Sequence, residues 1–505
     1  MRRAPPVSVC VETTSALARI PPLPSVTIPA IDPVISCALA MMASRTNNQS
    51  ERGIGGSLAF ARVTLRGTMR VVFLEVDTES DWAMASLGPA FLAAFLRDHG
   101  HESLLVRAGL AMADADVVRM VREAGPDLLG VSMTTRQWLR GRHLVGLIRA
   151  ELNVPVVAGG LHPTFSSEAV LASPGFDYAC LGEGEEALLD LVNALAAGRS
   201  AHGLANIWVR GGFRPVLRKP VEPLDSLPFA ARDMLDEPRG VVQISTQRGC
   251  PFPCTYCGAR MFNELYEGTA EYGRRRSQEN VLAELRVLRD AGKLSYVIFL
   301  DDTFTIHHPW VKEFCRLYKE EFRTPFCLHA RVETVNEKML HMLADAGCDQ
   351  ITYGVESGSE RVRREIMHRP VTNQRFRDVF RWTREAGIRV IANFMLGLPG
   401  ETRAELDETY ALAEELDSFD FGFFVFYPYP GTKLFSTCLE KGYLPPDYLV
   451  RPANHRETIL LLPDLSQADI DAVYGQFTEL RVRRERARWG GVPLVDHAYV
   501  VARNG

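Results

Sequence analysis

The chain has 505 residues, a formal net charge of −5, 46% hydrophobic and 24% charged residues. At roughly 100–200 residues per domain that is material for two to four domains, and the composition excludes wholesale disorder, collagen-like repeats and coiled-coil fibres. A pI near 6.2 gives no global reason to expect nucleic acid as a partner, and no run reaches the ~18–20 uninterrupted apolar residues of a membrane span.

Residues 1–68 are rich in Pro, Ala, Ser and Thr and carry no sustained helical or strand period. They read as a disordered extension or as an over-called start, with Met69 as the true first residue; a targeting segment and a small extra domain are the competing readings. The hydrophobic pattern begins at Met69-Arg-Val-Val-Phe-Leu. From there to 204 strand and helix signals alternate. Strands are predicted at 71–76, 103–106, 128–133, 154–158 and 178–181, and helices at 89–99, ended by Gly100, and 114–124, ended by Gly125 and Pro126. Short apolar strands between amphipathic helices predict an α/β fold with a doubly wound parallel sheet. Such a sheet binds its ligand beyond the carboxyl ends of its strands. There the chain places Ser132 and Thr134, Gly159 and Gly160, and Gly182 and Glu183. Paired glycines let backbone approach a large flat ligand, and the hydroxyls offer hydrogen bonds. The same residues also suit ordinary strand-to-helix turns.

Residues 205–240 are punctuated by Pro215, Pro220, Pro223, Pro228 and Pro238 and read as a linker, with one short strand at 205–210. Alternation resumes over 241–462, with strands predicted at 241–246, 295–300, 326–330, 350–354, 389–396 and 421–427. Helix caps are expected at Ser277, Asn336 and Asn373, with stops at Gly292, Gly347 and Gly387, and Thr402 with Glu405 forms a capping box. Six strand–helix units predict an open, partial (β/α)6 barrel. Residues 463–505 read as a mainly helical tail, its charge run at 481–488 a solvated face.

Of the ten cysteines, Cys10, Cys37, Cys180, Cys315, Cys327, Cys348 and Cys438 are scattered singly, as reduced buried thiols are. No secretory signal is evident, which argues for a cytoplasmic protein without a disulfide framework. Cys250, Cys254 and Cys257 fall together in Cys-Pro-Phe-Pro-Cys-Thr-Tyr-Cys, just after the first strand of the second unit. Soft thiolates favour zinc or an iron–sulfur cluster. Structural zinc wants four ligands, and no fourth Cys or His follows at the usual spacing. Three ligands on a four-iron cluster leave one iron open to a substrate.

The triad, with Tyr256 before its last cysteine, resembles the signature of the radical S-adenosylmethionine enzymes. Later segments resemble that family's strand ends in order: Leu300-Asp301-Asp302-Thr303-Phe304, Ala330-Arg331-Val-Glu333, Tyr353-Gly354-Val-Glu356-Ser357-Gly358, Phe394 to Thr402 with Gly397 and Pro399, and Tyr427-Pro428-Tyr429-Pro430-Gly431-Thr432. The resemblance implies a 4Fe-4S cluster on the three cysteines. It implies S-adenosylmethionine near Asp301, Asp302, Arg331, Glu356, Ser357, Gly397 and Pro399. Ahead of such a core, the first unit resembles a cobalamin-binding domain, with Ser132, Thr134, Gly159, Gly160, Gly182 and Glu183 as its contacts. Many such domains carry Asp-x-His-x-x-Gly after the first strand, whose His ligates cobalt. Residues 75–89 here contain no His, so the lower cobalt face is expected to lack an imidazole, with Trp82 or Met84 as candidate shields. His162 is the tempting ligand nearby, read here as a turn histidine bonded to backbone; His99 and His101, flanking Gly100, are expected to be exposed.

Taken together the resemblance covers 69–462 and implies a cobalamin-dependent radical enzyme. It would methylate an unactivated carbon of a small molecule through a 5′-deoxyadenosyl radical and methylcobalamin, with a low-potential flavodoxin or ferredoxin as electron donor. A porphyrin-ester-cyclase-like cyclisation or rearrangement uses the same cofactors and stays open. A tRNA methylthiotransferase would need its own N-terminal cysteine cluster and a basic RNA module, and a non-enzymatic cobalamin sensor would not need the triad.

Overall fold

The computed structural model describes residues 67–77, 86–235, 237–269 and 273–489. The readings of residues 1–66, and of Trp82 and Met84 as shields, fall outside these described residues.

The first unit is a six-stranded sheet in the order β2-β1-β3-β4-β5-β6. Its strands are β1 (Arg70–Val76), β2 (Glu102–Ala108), β3 (Leu128–Ser132), β4 (Val156–Gly159), β5 (Tyr178–Cys180) and β6 (Ile207–Val209). The helices are α1 (Leu87–Asp98), α2 (Asp114–Ala124), α3 (Thr135–Glu151), the short α4 (Leu161–Phe165) and α5 (Ser167–Ala172), and α6 (Glu185–Ala196). β1 is apolar at almost every position, and successive side chains point to opposite faces, so both faces need cover. Val71 and Phe73 pack with Ala90, Ala93 and Leu96 of α1 and Leu188 and Leu191 of α6. Val72, Leu74 and Val76 pack with Val117 and Val121 of α2 and Leu144 and Ile148 of α3. The sheet is therefore doubly wound, as expected, with β1 to β5 parallel.

The segment 205–240 differs from the loose linker its prolines suggest. β6 closes the sheet as an antiparallel edge on β5. Further on, Ala230, Ala231, Met234 and Leu235 are buried in the core of the first sheet, and Ala231 N donates to Ala90 O at 3.0 Å. Arg232 beside them donates to Gln243 O at 2.9 Å and pairs with Glu284. Proline prevents a regular ladder here, but the apolar side chains between the prolines still find a core.

The second unit has six parallel strands in the order β14-β13-β12-β11-β10-β7. They are β7 (Val241–Ile244), β10 (Tyr296–Phe299), β11 (Phe326–Ala330), β12 (Cys348–Glu356), β13 (Arg389–Leu396) and β14 (Asp420–Val425), and a two-stranded ribbon, β8 (Gln247–Arg248) with β9 (Arg274–Arg275), lies beside them. This is the open six-stranded barrel the alternation predicts. The helices are α7 (Gly258–Leu265), α8 (Gln278–Asp290), α9 (His308–Glu321), α10 (Glu337–Asp345), α11 (Asn373–Glu385), α12 (Arg403–Leu416), α13 (Lys433–Glu440) and α14 (Gln467–Trp489).

Three of the four expected caps form: Ser277 Oγ accepts from Asn280 N at 3.1 Å, Asn336 Oδ1 from Met339 N at 2.9 Å, and Glu405 Oε2 from Thr402 N at 2.9 Å. At α11 the cap is Thr372, which accepts from Arg375 N at 3.3 Å, and Asn373 is already helical. The C-terminal helix α14 is built into the fold. Ile470, Val473, Phe477 and Leu480, at helical spacing, are buried with Phe394, Phe421 and Phe423 of the last two strands. Arg481 and Arg484 of the charge run reach the Phe421 and Ala413 carbonyls, so that run is anchored rather than merely solvated. No described helix is long and apolar enough to cross a membrane.

Candidate active site

The triad lies on the loop from β8 into α7. Asn263 of α7 donates to Cys250 O at 2.7 Å, and Arg260 to Pro253 O at 2.9 Å. Thr255 N donates to Met367 O at 3.2 Å and accepts from Leu434 N at 3.0 Å through its carbonyl. The loop is thus tied to its own helix, to the segment after β12 and to α13, while its two prolines restrict the backbone. Cys250 and Cys254 are buried and Cys257 half-buried at the start of α7. Burial pushes the Cys257 thiol up to about 12 and raises Cys250. Thiolates in such surroundings need positive charge among them, which a metal cluster supplies. Among the described residues no three Cys, His, Asp or Glu groups converge on the position of a single ion. A four-iron cluster takes each thiolate on a different iron, so separated thiols fit it.

The strand ends surround this loop unevenly. Arg331, after β11, donates through Nη1 to Cys254 Sγ at 3.0 Å and lies over the Phe252 ring at 3.9 Å. Its Nε is buried without a partner, a donor left for whatever binds beside the triad. Thr303 Oγ1, after β10, lies 3.7 Å from Cys250 Sγ. Asp302 next to it keeps accessible surface while protein crowds it on most sides, so desolvation, then the neighbouring Asp301, raises its carboxyl. Asp301 itself points inward. It is buried and accepts from Thr246 N at 2.7 Å, Thr246 Oγ1 at 2.5 Å and Gln247 N at 2.9 Å. Its carboxylate therefore braces the turn that leads to the triad.

Glu356 ends β12 with φ 72°, a conformation few non-glycine residues adopt. A Cβ on Gly354 would lie 2.2 Å from Glu356 Oε1, so the glycine is what lets this carboxylate fold back. Its charge reaches Tyr256 of the triad loop and Arg369. Ser357 departs from the expectation of a cofactor contact. It is fully buried, 3.3 Å from Thr409 Oγ1, and accepts from Ser359 N at 3.2 Å. The turn at Gly397 and Pro399 wraps around fully buried Glu401, which accepts from Gly397 N at 2.8 Å and Leu398 N at 3.0 Å. Burial raises that carboxyl to about 8. A Cβ on Gly397 would meet Ile470 of α14 at 2.9 Å, so the C-terminal helix shapes this strand end.

On the first sheet, Ser132, Thr134 and Gly159 keep accessible surface at the carboxyl edge. A Cβ on Gly159 would meet nothing within 4 Å, whereas one on Gly160 would lie 2.9 Å from Met133 O and 3.2 Å from Ser132 Oγ. These residues form an open cradle beside a tight turn, which fits a large flat ligand. Gly182 and Glu183 are used otherwise. A Cβ on Gly182 would lie 2.1 Å from Tyr266 Oη, and Glu183 N donates to that hydroxyl at 2.9 Å. The Glu183 carboxylate pairs with Arg274, lies 3.2 Å from Arg248 and accepts from Val221 N at 2.9 Å. Arg248 also reaches Glu185 at 2.5 Å. This turn bolts the first sheet to the elements on either side of the triad, because Arg248 precedes Cys250 and Tyr266 follows α7.

The two carboxyl edges meet at a second seam. Phe165 of α4 packs edge-on against Phe262 of α7, and a Cβ on Gly431 would lie 2.9 Å from Phe165. There Tyr429 Oη lies 2.7 Å from His455 Nε2, and His455 Nδ1 lies 3.3 Å from Val425 O. Burial, then the charge of Arg136 in the first turn of α3, lowers His455 to about 4. A neutral imidazole bonded to a carbonyl through Nδ1–H accepts the tyrosine proton at Nε2. Sequence reading missed Arg136, His455, Tyr266 and Arg369, none of which sits in a recognisable pattern.

Comparison with known proteins gives this arrangement its family. The Radical SAM superfamily matches residues 244–413, and the B12 binding domain matches residues 76–192. The uncharacterized methyltransferase PH0819 of Pyrococcus horikoshii is 30% identical over 375 residues, 71% of this chain and 79% of its own length. The chain belongs to the cobalamin-dependent radical S-adenosylmethionine enzymes. Its cofactors are accordingly a 4Fe-4S cluster, S-adenosylmethionine and cobalamin. The cytidylyl-2-hydroxyethylphosphonate methyltransferase of Streptomyces wedmorensis is 26% identical over 476 residues, covering 79% of this chain and 87% of that one. The radical S-adenosylmethionine methyltransferase TsrM of Kitasatospora setae, in a structure with cobalamin and a 4Fe-4S cluster bound, shares the fold at TM-score 0.61 and 20% identity, covering 74% of this chain and 75% of that chain.

The histidines of this enzyme's cobalamin-binding unit make the cobalt expectation testable. His99 lies 2.8 Å from Phe95 O, and His143 lies 2.8 Å from Asp114. His101, expected to be exposed, is buried between Met69 N at 3.3 Å and Asn193 Oδ1 at 3.1 Å. It stands at the start of β2, opposite the carboxyl edge. His162 stacks on Trp138 with ring centroids 4.9 Å apart, and its Nδ1 lies 3.2 Å from Thr135 Oγ1, a side chain rather than backbone. Its Nε2 is buried without a partner, and burial lowers it to about 4. Electron paramagnetic resonance of protein-bound cob(II)alamin is expected to show no superhyperfine splitting from a protein nitrogen. A splitting that disappears in His162→Ala would assign the axial ligand to that imidazole and overturn this expectation.

Proposed function

We propose that the enzyme methylates an unactivated carbon of a small-molecule substrate held where the two carboxyl edges meet. The observation that carries this reading is the seam itself: α4, next to the cobalamin-side cradle, packs on α7, the helix that leaves the triad loop. When bound, the cluster supplies the electron that cleaves S-adenosylmethionine to a carbon radical, and cobalamin carries the methyl group. The protein's part is placement. Cys250, Cys254 and Cys257 would hold the cluster, with Thr303 and Arg331 beside the sulfurs. Asp302, accessible near that loop, and Glu356, folded back over Gly354, would orient S-adenosylmethionine. Ser132, Thr134 and Gly159 would line the cobalamin cradle.

Tyr429, its proton shared with His455, presents phenolic lone pairs at the seam and suits a hydroxyl or amine donor on the substrate. Arg136 adds positive charge there. The two methyltransferase relatives support methyl transfer, and relatives named as anaerobic magnesium-protoporphyrin IX monomethyl ester cyclases, at 25–26% identity, support cyclisation as the second reading. A low-potential flavodoxin or ferredoxin would feed the cluster, in the cytoplasm. The test is anaerobic incubation of the reconstituted enzyme with methyl-labelled S-adenosylmethionine and a metabolite extract. A product heavier by one labelled methyl, formed together with 5′-deoxyadenosine, is expected. Consumption of a metabolite with 5′-deoxyadenosine but no label would favour a cyclisation or rearrangement instead.

A further inference from the structure

Arg331 is held in place from several sides. Nη1 donates to Cys254 Sγ at 3.0 Å, and Nη2 to Glu333 Oε1 at 2.5 Å. The guanidinium lies over the Phe252 ring of the triad loop, 3.9 Å from its centroid. Glu333 is gripped in turn by Arg369, at 3.1 and 3.0 Å. Arg369 is itself buried and donates to Gly354 O at 2.5 Å. A guanidinium is permanently charged, and its planar fork fixes the direction of each donor. The charge therefore stays at the sulfur of one cluster ligand.

We propose that Arg331 sets the reduction potential of the cluster, through its hydrogen bond and fixed positive charge at the Cys254 sulfur. The proposal rests on the reading of Cys250, Cys254 and Cys257 as the ligands of a four-iron cluster. Reduction adds negative charge to the cluster. A cation and a donor at a ligand sulfur stabilise the reduced form more than the oxidised one, so the potential rises. Poor solvation around the loop strengthens the effect. Glu333 opposes it, because its carboxylate offsets part of the guanidinium charge. The two side chains thus act in opposite directions, and a merely structural role would not produce that signature.

The experiment is a redox titration of the anaerobically reconstituted full-length protein, without S-adenosylmethionine, followed by electron paramagnetic resonance of the reduced cluster. Arg331→Gln is expected to move the midpoint to more negative potential at unchanged iron content. Arg331→Lys, which keeps the charge but not the fork, should fall between that variant and the wild type. Glu333→Gln, which keeps an acceptor for Arg369 but removes the opposing charge, should move the midpoint to more positive potential. Should Arg331→Gln take up no cluster, the Arg331→Lys and Glu333→Gln shifts decide the sign. Midpoints equal to wild type, or shifts of the same sign for Arg331→Gln and Glu333→Gln, would overturn the proposal. A wild-type protein that takes up no cluster would overturn the reading of the triad, and the proposal with it.

Discussion

Cys254→Ala protein, reconstituted anaerobically with iron and sulfide, is expected to lose reductive cleavage of S-adenosylmethionine by about a thousand-fold or more, roughly 4 kcal/mol of barrier. Two thiolates cannot replace three around a cluster that must leave one iron open. The loss also strands Arg331, whose Nη1 donates to this sulfur and whose Nε already lacks a partner. A buried guanidinium that loses a hydrogen-bonded partner is costly. Cys254→Ser, which keeps an acceptor near Arg331, should therefore fold better than Cys254→Ala while remaining as inactive, because a hydroxyl is a poor ligand for iron in a sulfur cluster. Cobalamin uptake should survive both substitutions. The contacts described between the first sheet and the elements flanking the triad loop run through Arg248, Phe262 and Tyr266, and Cys254 is not among them. Iron content, visible absorption and 5′-deoxyadenosine yield read the first claim, and cobalamin binding reads the second. A folded Cys254→Ala protein that had lost both cofactors would show that the cradle depends on the loaded cluster loop.

The fold was legible wherever a period repeats. β1 alternates between two cores, and that pattern is written in consecutive apolar residues. The triad stands out in the sequence because three thiols at fixed spacing have few structural uses. Legibility failed where distant segments compete for the same local pattern. Glu183 stands in a glycine-rich turn after β5, where a ligand contact and an ion pair look alike. Its partner Arg274 is 91 residues away, and nothing nearby in the chain announces it. Gly182 was read as a cofactor contact, and what approaches its Cα is the Tyr266 hydroxyl. Asp301 and Ser357 follow the same logic: polar residues at strand ends suit a cofactor, and equally suit the turns that present one. Thr372 and Asn373 are adjacent cap-forming residues. Only the backbone decides between them, with Thr372 extended at ψ 153°. The linker misled for a different reason. Proline frequency reports the lack of a ladder, not the lack of packing, and Ala230, Ala231, Met234 and Leu235 pack in the first core.

Glu183→Ala is expected to be among the most destabilising single substitutions outside the apolar core. The carboxylate is 8% exposed and its partner Arg274 only 4%, with Arg248 and Val221 N also on it. Removing one member of a buried ion pair leaves the other charge unpaired, a loss of about 3–5 kcal/mol. Burial alone would raise this carboxyl, but Arg274 and Arg248 hold it below its ordinary value near 4.5. A folded-state pKa below the unfolded one stabilises fully above that ordinary value, and the contribution fades as pH falls through the folded-state pKa. Wild-type protein should therefore lose stability as pH drops below about 4.5, and Glu183→Ala, already without the pair, should lose less over the same window. Glu183→Gln keeps hydrogen bonds but not charge, and should fall between them. The clamp joins the cobalamin-side turn to Arg248, just before Cys250, so its loss should also loosen the relation between the two cofactors. Pulsed electron paramagnetic resonance between cob(II)alamin and the reduced cluster should give a broader distance distribution in Glu183→Ala, with each centre's own spectrum unchanged. A melting temperature, acid limb and distance distribution all equal to wild type would show that the ion pairs merely decorate a seam held by Phe165, Phe262 and Tyr266.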